Sequence, residues 1–235
     1  MVFFISNKIS SLCETDKEDI RKDPRKPQPS ETNDFISFWN TSKTSEGSSA
    51  GNQLSLPLVS DGNYDFNVTW GDGSSDTITT WNEPAVTHTY ASEGEYTLTI
   101  TGKIIGWRFN NGRDKLKIVE IKQWGCLNLG DSDSYFYGCW NLELTATDNL
   151  NLTGTTNLRY AFRDCTNLGD QGTMDDWNVS SVTDMSFMFY GATSFNQPIG
   201  SWDVSNVINM GWMLYDAKSF DHDIGNWNTS KVMYM

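Results

Sequence analysis

The chain has 235 residues, 37% of them hydrophobic, ten tryptophans and a formal charge of −13. That length holds one large domain or two small ones, each able to bury a core. The acidic balance excludes nucleic acid and anionic membrane as natural partners. No apolar run approaches the roughly 20 residues that a membrane helix needs, so no membrane insertion is expected.

The start, MVFFISNKISSLC, carries a stub of apolar sequence, and Leu12 before Cys13 fits a lipidation signal poorly. It reads as the remnant of a signal or a variable leader. From Glu14 to Asn33 the chain mixes charges with three prolines and almost nothing apolar. Such a stretch does not offset its ordering entropy, and residues 1–33 are expected to be a disordered tether.

Residues 34–103 have a different texture. FISFW, NQLSLPLV, YDFNVTW, SDTITTW, AVTHTY and EYTLTITG are short alternating runs rich in Thr, Val, Ile and aromatics, separated by Gly- and Asp-bearing turns. This pattern predicts an antiparallel β-sandwich. Within it, GDGS is a tight turn for which Gly71 and Gly73 supply the backbone freedom.

The residues Trp70, Gly71, Asp72 and Gly73, followed by His88, Tyr90, Gly94 and Tyr96, resemble the PKD (polycystic kidney disease) domain. The phenylalanine usual before the glycine is missing, so the segment resembles a PKD-like variant with an immunoglobulin-like sandwich. The resemblance implies structural roles for all eight residues. Residues 104–130 alternate like strands and contain no Pro/Ser-rich linker. They are expected to join the two folded parts into one body, with Ile118, Val119 and Ile121 turned into the next domain as its cap.

Residues 131–235 repeat themselves. Trp177, Trp202 and Trp227 are 25 residues apart, and WNVSSVTDM, WDVSNVINM and WNTSKVMYM align behind them. Further back, Phe189 matches Phe162 and Phe136, and Ala192 matches Cys165 and Cys139, at intervals of 26 and 27 residues. A period in this range signals stacked units, none of which buries its own core. Within a unit, VSSVTDM suits a short strand. Met185, Met188, Phe189 and Ala192 fall at i, i+3, i+4 and i+7, which predicts a short helix with that face inward. The expected fold is therefore a leucine-rich-repeat-like solenoid of about four coils, each a short strand plus a short helix.

This part resembles the BspA-like leucine-rich repeat surface proteins, whose repeats run W-D-V-S-N-V-T-N-M and F-x-G-A-x-x-F-N-Q-x-I. Trp202 to Met210 and Phe187 to Ile199 carry the match. The chain stops inside a coil without a cap, which reads as a fragment of a longer surface protein.

Serines, histidines and aspartates are present, but no arrangement makes them catalytic: the G-x-S-x-G elbow is absent, and His88 and His222 sit in unrelated segments. No CxxC, HExxH or paired Cys/His spacing exists, and Asp72, Asp76, Asp221 and Asp223 lack calcium-loop spacing. The chain is expected to be no enzyme and to need no metal or cofactor. Cys139 and Cys165, at equivalent positions in consecutive coils, are expected to be neighbours, either bridged as a disulfide or reduced and buried.

If Met185, Met188 and Phe189 face inward, a helix turns Phe187 and Tyr190 outward. The equivalents are Tyr137 in the first coil, Tyr160 and Arg163 in the next, and Trp212 and Tyr215 in the last. Stacking makes them two adjacent columns of aromatics with one arginine. Such residues dominate interaction hot spots, so these seven are the candidate binding residues; the alternative is that they pack as core. The resemblance implies a surface or secreted module for adhesion or protein interaction, meeting a protein or glycan partner or a second copy. The other function considered is a carbohydrate-targeting or spacer module of a larger secreted enzyme.

Overall fold

A computed structural model describes residues 33–235. The expected tether up to Thr32, with Cys13, lies outside the described residues. Among those described, regular structure consists of strands and a single 3₁₀ turn at Pro84–Val86.

Alternation of side chains explains the first strands. In β1 (Phe35–Asn40) Phe35, Ser37 and Trp39 are buried, and the Trp39 indole N–H donates to Ser37 Oγ at 2.8 Å. In β3 (Asn63–Thr69) Tyr64, Phe66 and Val68 point inward and the residues between them outward. The short β2 (Gln53–Ser55) and β5 (Thr87–Thr89) pair into a separate two-stranded sheet. Leu54 of β2 joins the same core as Phe35, Trp39 and Leu98.

The main sheet has the order β4-β3-β6-β1-β7-β9, where β4 is Ser75–Ile78, β6 Glu95–Ile105, β7 Ile118–Gln123 and β9 Glu143–Leu144. Strand β6 runs two residues past the boundary expected at 103, because Ile104 and Ile105 pair with β8 (Leu127–Asn128). Strand β7 has β1 antiparallel on one side and β9 parallel on the other. One sheet thus passes from the first folded part into the repeats, with Ile118 and Ile121 buried at the junction, whereas Val119, on the opposite face of the strand, is only partly buried.

The repeats form no helix among the described residues, and beyond β9 single parallel bridges stand where a short strand was expected in each unit. Asp184 pairs with Asn157 and Asn209 through isolated parallel bridges, and Asn209 in turn with Tyr234. From there the chain coils by a two-way hydrogen-bond pattern. The N–H groups of Met185, Phe187, Phe189 and Gly191 donate across to Asn209, Gly211, Met213 and Tyr215, at 2.9 Å each. The intervening N–H groups of Met188, Tyr190 and Ala192 donate back three residues, to Met185, Phe187 and Phe189. An α-helix would take every N–H for its own fourth residue back; here every second one serves the neighbouring coil.

Left-handed backbone keeps that pattern going. Ser134, Tyr160, Phe187 and Trp212 have φ of 55°, 57°, 57° and 61°, and four residues on stand Gly138, Asp164, Gly191 and Asp216, also with positive φ. Such residues interrupt a right-handed helix. The i, i+3, i+4, i+7 face nevertheless points inward: Met185, Met188, Phe189 and Ala192 are all fully buried.

Equivalent residues stack from coil to coil. Phe136 lies 5.3 Å from Phe162, and Phe162 lies 5.7 Å from Phe189, each pair within 7° of parallel. Trp177, Trp202 and Trp227 follow at 6.3 and 6.4 Å. Burying one such phenylalanine contributes about 1.5–3 kcal/mol, which the coils obtain from their neighbours.

Candidate interaction surface

The outward positions form the expected double column. Tyr160 packs 5.9 Å from Tyr137 and 5.0 Å from Phe187, whose ring lies parallel to Trp212 at 6.4 Å. In the adjoining column Tyr190 stacks on Tyr215 at 4.9 Å, and Trp212 and Tyr215 meet edge to face, also at 4.9 Å. The left-handed φ of Tyr160, Phe187 and Trp212 aims these rings at solvent.

Exposure changes along the strip. Tyr137, Tyr160, Phe187 and Tyr190 are half-buried between their neighbours, whereas Trp212 and Tyr215 are 55% and 51% exposed. The rings of the first group are partly shared with Arg163, whose guanidinium carbon sits 5.0 Å from Tyr137, 5.2 Å from Tyr160, 5.7 Å from Phe187 and 4.8 Å from Tyr190. The guanidinium makes no hydrogen bond to the described residues, and its nearest carboxylate oxygen, Asp164 Oδ2, is 3.5 Å from Nε. Arg159, not foreseen from the sequence, also lies over Tyr160 at 4.5 Å and donates to its hydroxyl at 2.8 Å. All seven residues singled out in the sequence therefore lie on one face.

The cysteine pair is not bridged. Cys139 and Cys165 are free, buried thiols, and Cys165 donates through sulfur to the Phe136 carbonyl at 3.0 Å. That bond holds Cys165 Sγ on a backbone acceptor of the preceding coil. Burial pushes both thiols well above their ordinary range, which leaves them poor nucleophiles at neutral pH.

Of the eight residues given structural roles near the GDGS turn, Trp70, Asp72, His88, Tyr90 and Tyr96 are linked by ring contacts and hydrogen bonds, whereas Gly73 is exposed with open space around it. Trp70 is buried, stacked on His88 at 4.8 Å, and donates through its indole N–H to Asp76 at 2.7 Å. Tyr90 stacks on Tyr96 at 3.7 Å and donates to the Trp70 carbonyl. Gly71, at φ 84°, lies against β6 so closely that a Cβ would stand 2.6 Å from the Thr97 carbonyl oxygen. Burial alone would raise the Asp72 carboxyl, but hydrogen bonds from Ser74 and His88 outweigh it and lower its pKa to about 2. Asp72 and Asp76 are thus engaged in holding the turn, and no group of three or more His, Cys, Asp or Glu suited to a metal occurs among the described residues.

Two further features escaped the sequence. Lys117 and Asp114 are both fully buried, in a segment read simply as connecting strand. A cleft of about 440 Å³ opens beside the 42% exposed Trp81, with Asn82, Glu83 and Arg113 on its walls. An exposed tryptophan in an acidic turn carries no sequence signal that separates a platform from a solvated loop.

Residues 39–103 match the family model of the PKD domain, and residues 130–235 match that described as "Mycoplasma protein of unknown function, DUF285". The chain carries a PKD domain followed by a DUF285 domain. The aromatic strip lies wholly within the DUF285 domain, and the Trp70–His88–Tyr90 cluster within the PKD domain. Neither the curated proteins nor the solved structures gave a match to the chain. No helix of the described residues is long and apolar enough to cross a membrane.

Proposed function

We propose that the chain is a non-catalytic interaction module, displayed at a cell surface or secreted, that meets a protein or glycan partner through the aromatic strip of its DUF285 domain. In this reading the DUF285 domain is a solenoid of the BspA-like leucine-rich repeat kind and the PKD domain is its rigid mount. The observation that supports it is the double column itself: six aromatic rings and one arginine on one face. Aromatic and arginine side chains concentrated in this way give large contact area at low entropic cost.

The test is a screen of the full chain on glycan and extracellular-protein arrays, beside a Trp212→Ser/Tyr215→Ser variant. Both side chains are exposed, so the variant should keep its melting temperature. It should lose whatever the parent chain binds. A variant that stays folded and binds unchanged removes the strip as the binding face.

The second reading is a carbohydrate-targeting or spacer module of a larger secreted enzyme. The Trp81 cleft favours it, because an exposed indole beside Asn82, Glu83 and Arg113 offers a sugar both a flat face and hydrogen-bonding groups. Array binding abolished by Trp81→Ser but not by the Trp212→Ser/Tyr215→Ser variant would select this reading.

A further inference from the structure

Charge is unevenly spread along the chain. Residues 34–103 carry nine Asp and Glu against two Lys and Arg, and residues 166–235 eight against two, whereas residues 104–165 balance at seven each. In that middle stretch Arg108, Lys117 and Lys122 each meet a carboxylate, of Asp133, Asp114 and Glu120. Arg159 meets none among the described residues, and Arg163 only its neighbour Asp164, 3.5 Å from Nε. Both guanidinium groups lie over the same ring, Tyr160. Two cations with little carboxylate compensation therefore stand side by side on the aromatic strip.

Arg163 has a coil on either side of it, with Tyr137 of the one before at 5.0 Å and Tyr190 and Phe187 of the one after at 4.8 and 5.7 Å. Four rings fix its place and displace its water, which a weakly hydrated guanidinium tolerates, yet they leave its N–H groups without acceptors. The side chain is 27% exposed, and Nε is the one of its nitrogens that is both buried and unpartnered, so the open edge lies at the Nη groups. Such an edge of paired donors fits a carboxylate, with charge-assisted bonds roughly twice as strong as neutral ones. It suits a sugar less well: the half-buried rings are taken by one another and by the two arginines, and leave no open flat face to stack on. A polyanion is disfavoured by the charge of −13.

Resting on the interaction surface proposed above, we propose that Arg163, assisted by Arg159, is a carboxylate-recognition subsite whose occupant is a single glutamate side chain of a polypeptide partner. The carboxylate accepts from the Nη groups of Arg163, and its methylenes rest against the edges of the surrounding rings. The partner is otherwise neutral or basic, which matches the acidic stretches on either side of the balanced one.

The test titrates the full chain, labelled with ¹⁵N-arginine, with an end-blocked heptapeptide of glycine and serine carrying one central glutamate, and reads the arginine Nε–H signals by NMR. The Arg163 signal, assigned by its loss in Arg163→Lys, should move as the glutamate peptide is added. The glutamine counterpart, which lacks the charge, should bind about tenfold or more weakly, and added salt should weaken the glutamate peptide. Arg159→Gln, at an exposed position, should keep the melting temperature and weaken the glutamate peptide about threefold. Equal binding of the glutamate and glutamine peptides overturns the proposal, as does undiminished glutamate binding by a folded Arg163→Gln variant. A glutamate peptide that binds without moving the Arg163 signal overturns it whether or not that variant folds. Methyl glucuronide binding as tightly as the glutamate peptide would make the occupant an acidic glycan, and also overturns it. If the strip variant above loses an array partner that the glutamate peptide does not displace, the strip function stands and this subsite falls. A glutamate peptide that moves the Arg163 signal in a chain whose array partners ignore the strip variant supports the subsite and removes the wider strip.

Discussion

Replacing Lys117 by methionine removes the cation of the one fully buried ion pair among the described residues. Its ammonium donates to the carbonyls of Ser49, Ala50 and Gln53 at 3.0, 2.8 and 2.8 Å, and to Ser49 Oγ at 2.7 Å, with Asp114 Oδ1 at 3.5 Å. Asp114 in turn accepts from the N–H of Ser49 and of Ser55 and from Ser49 Oγ, each at 2.7 Å. The pair ties the loops before β2 to the segment entering β7. Breaking a buried pair costs about 3–5 kcal/mol. The three donors left to Asp114 hold the loss to the lower part of that range, about 3–4 kcal/mol, even though three carbonyls lose their donor. Followed by tryptophan fluorescence, the urea midpoint should fall by about 1–2 M at an m-value of a few kcal/mol/M. The double variant Lys117→Met/Asp114→Asn should lose less than the sum of the two single changes, because the uncompensated charge goes with it. A single-variant loss under about 1 kcal/mol, or strict additivity, would refute the reasoning about this pair.

Three other outcomes follow from the geometry. Asp72 has its folded pKa lowered from 3.8 to about 2, so its contribution is complete above pH 3.8 and is lost as pH falls through about 2; the melting-temperature gap between the parent chain and Asp72→Asn should close over that window, and a gap that stays constant there contradicts the hydrogen-bonded carboxylate. Gly191 sits at φ 70° with Asp164 Oδ1 where a Cβ would go, at 2.5 Å, and Gly73 at φ 92° has open space around it; in thermal unfolding Gly73→Ala should cost about 1–2 kcal/mol from backbone handedness alone, and Gly191→Ala should cost more, because the clash adds to the same handedness. Alkylation under native conditions, read by peptide mass, should spare Cys139 and Cys165 and modify them after unfolding, with no mass deficit of two hydrogen atoms between them; a bridged pair would show that deficit.

Much of this molecule is legible in its sequence. Alternation in FISFW, YDFNVTW and EYTLTITG marks strands because one face of each is solvated and the other buried, and β1, β3 and β6 lie on those residues. The 25-residue tryptophan spacing sets the register of the coils, since equivalent side chains must stack to be buried at all. The helix assigned to Met185–Ala192 shows where periodicity misleads. Apolar residues at i, i+3, i+4 and i+7 also face inward when left-handed residues four apart interrupt the turn, as Phe187 and Gly191 do, and burial alone does not tell the two apart. The discriminating signal lay in Gly138, Asp164, Gly191 and Asp216, glycine or aspartate at one equivalent position, the residue types that tolerate positive φ. Within the candidate strip the sequence places every ring, because the columns follow from the register. It does not show that Arg163 consumes four of the ring faces, nor that Arg159 joins it, because those contacts depend on side-chain directions across three coils. Lys117 and Asp114 gave no sign at all: a buried pair three residues apart reads like any exposed one.

The most direct test of the central claim is hydroxyl-radical footprinting of the full chain with and without a partner found on the arrays. The three exposed indoles, Trp81, Trp140 and Trp212, are separate reporters at 42%, 50% and 55% exposure. If the strip is the binding face, Trp212 and Tyr215 lose reactivity on binding and Tyr190 follows, while Trp81 and Trp140 react as before. Protection at Trp81 with Trp212 and Tyr215 unchanged would contradict the account and move the function to the cleft of the PKD domain.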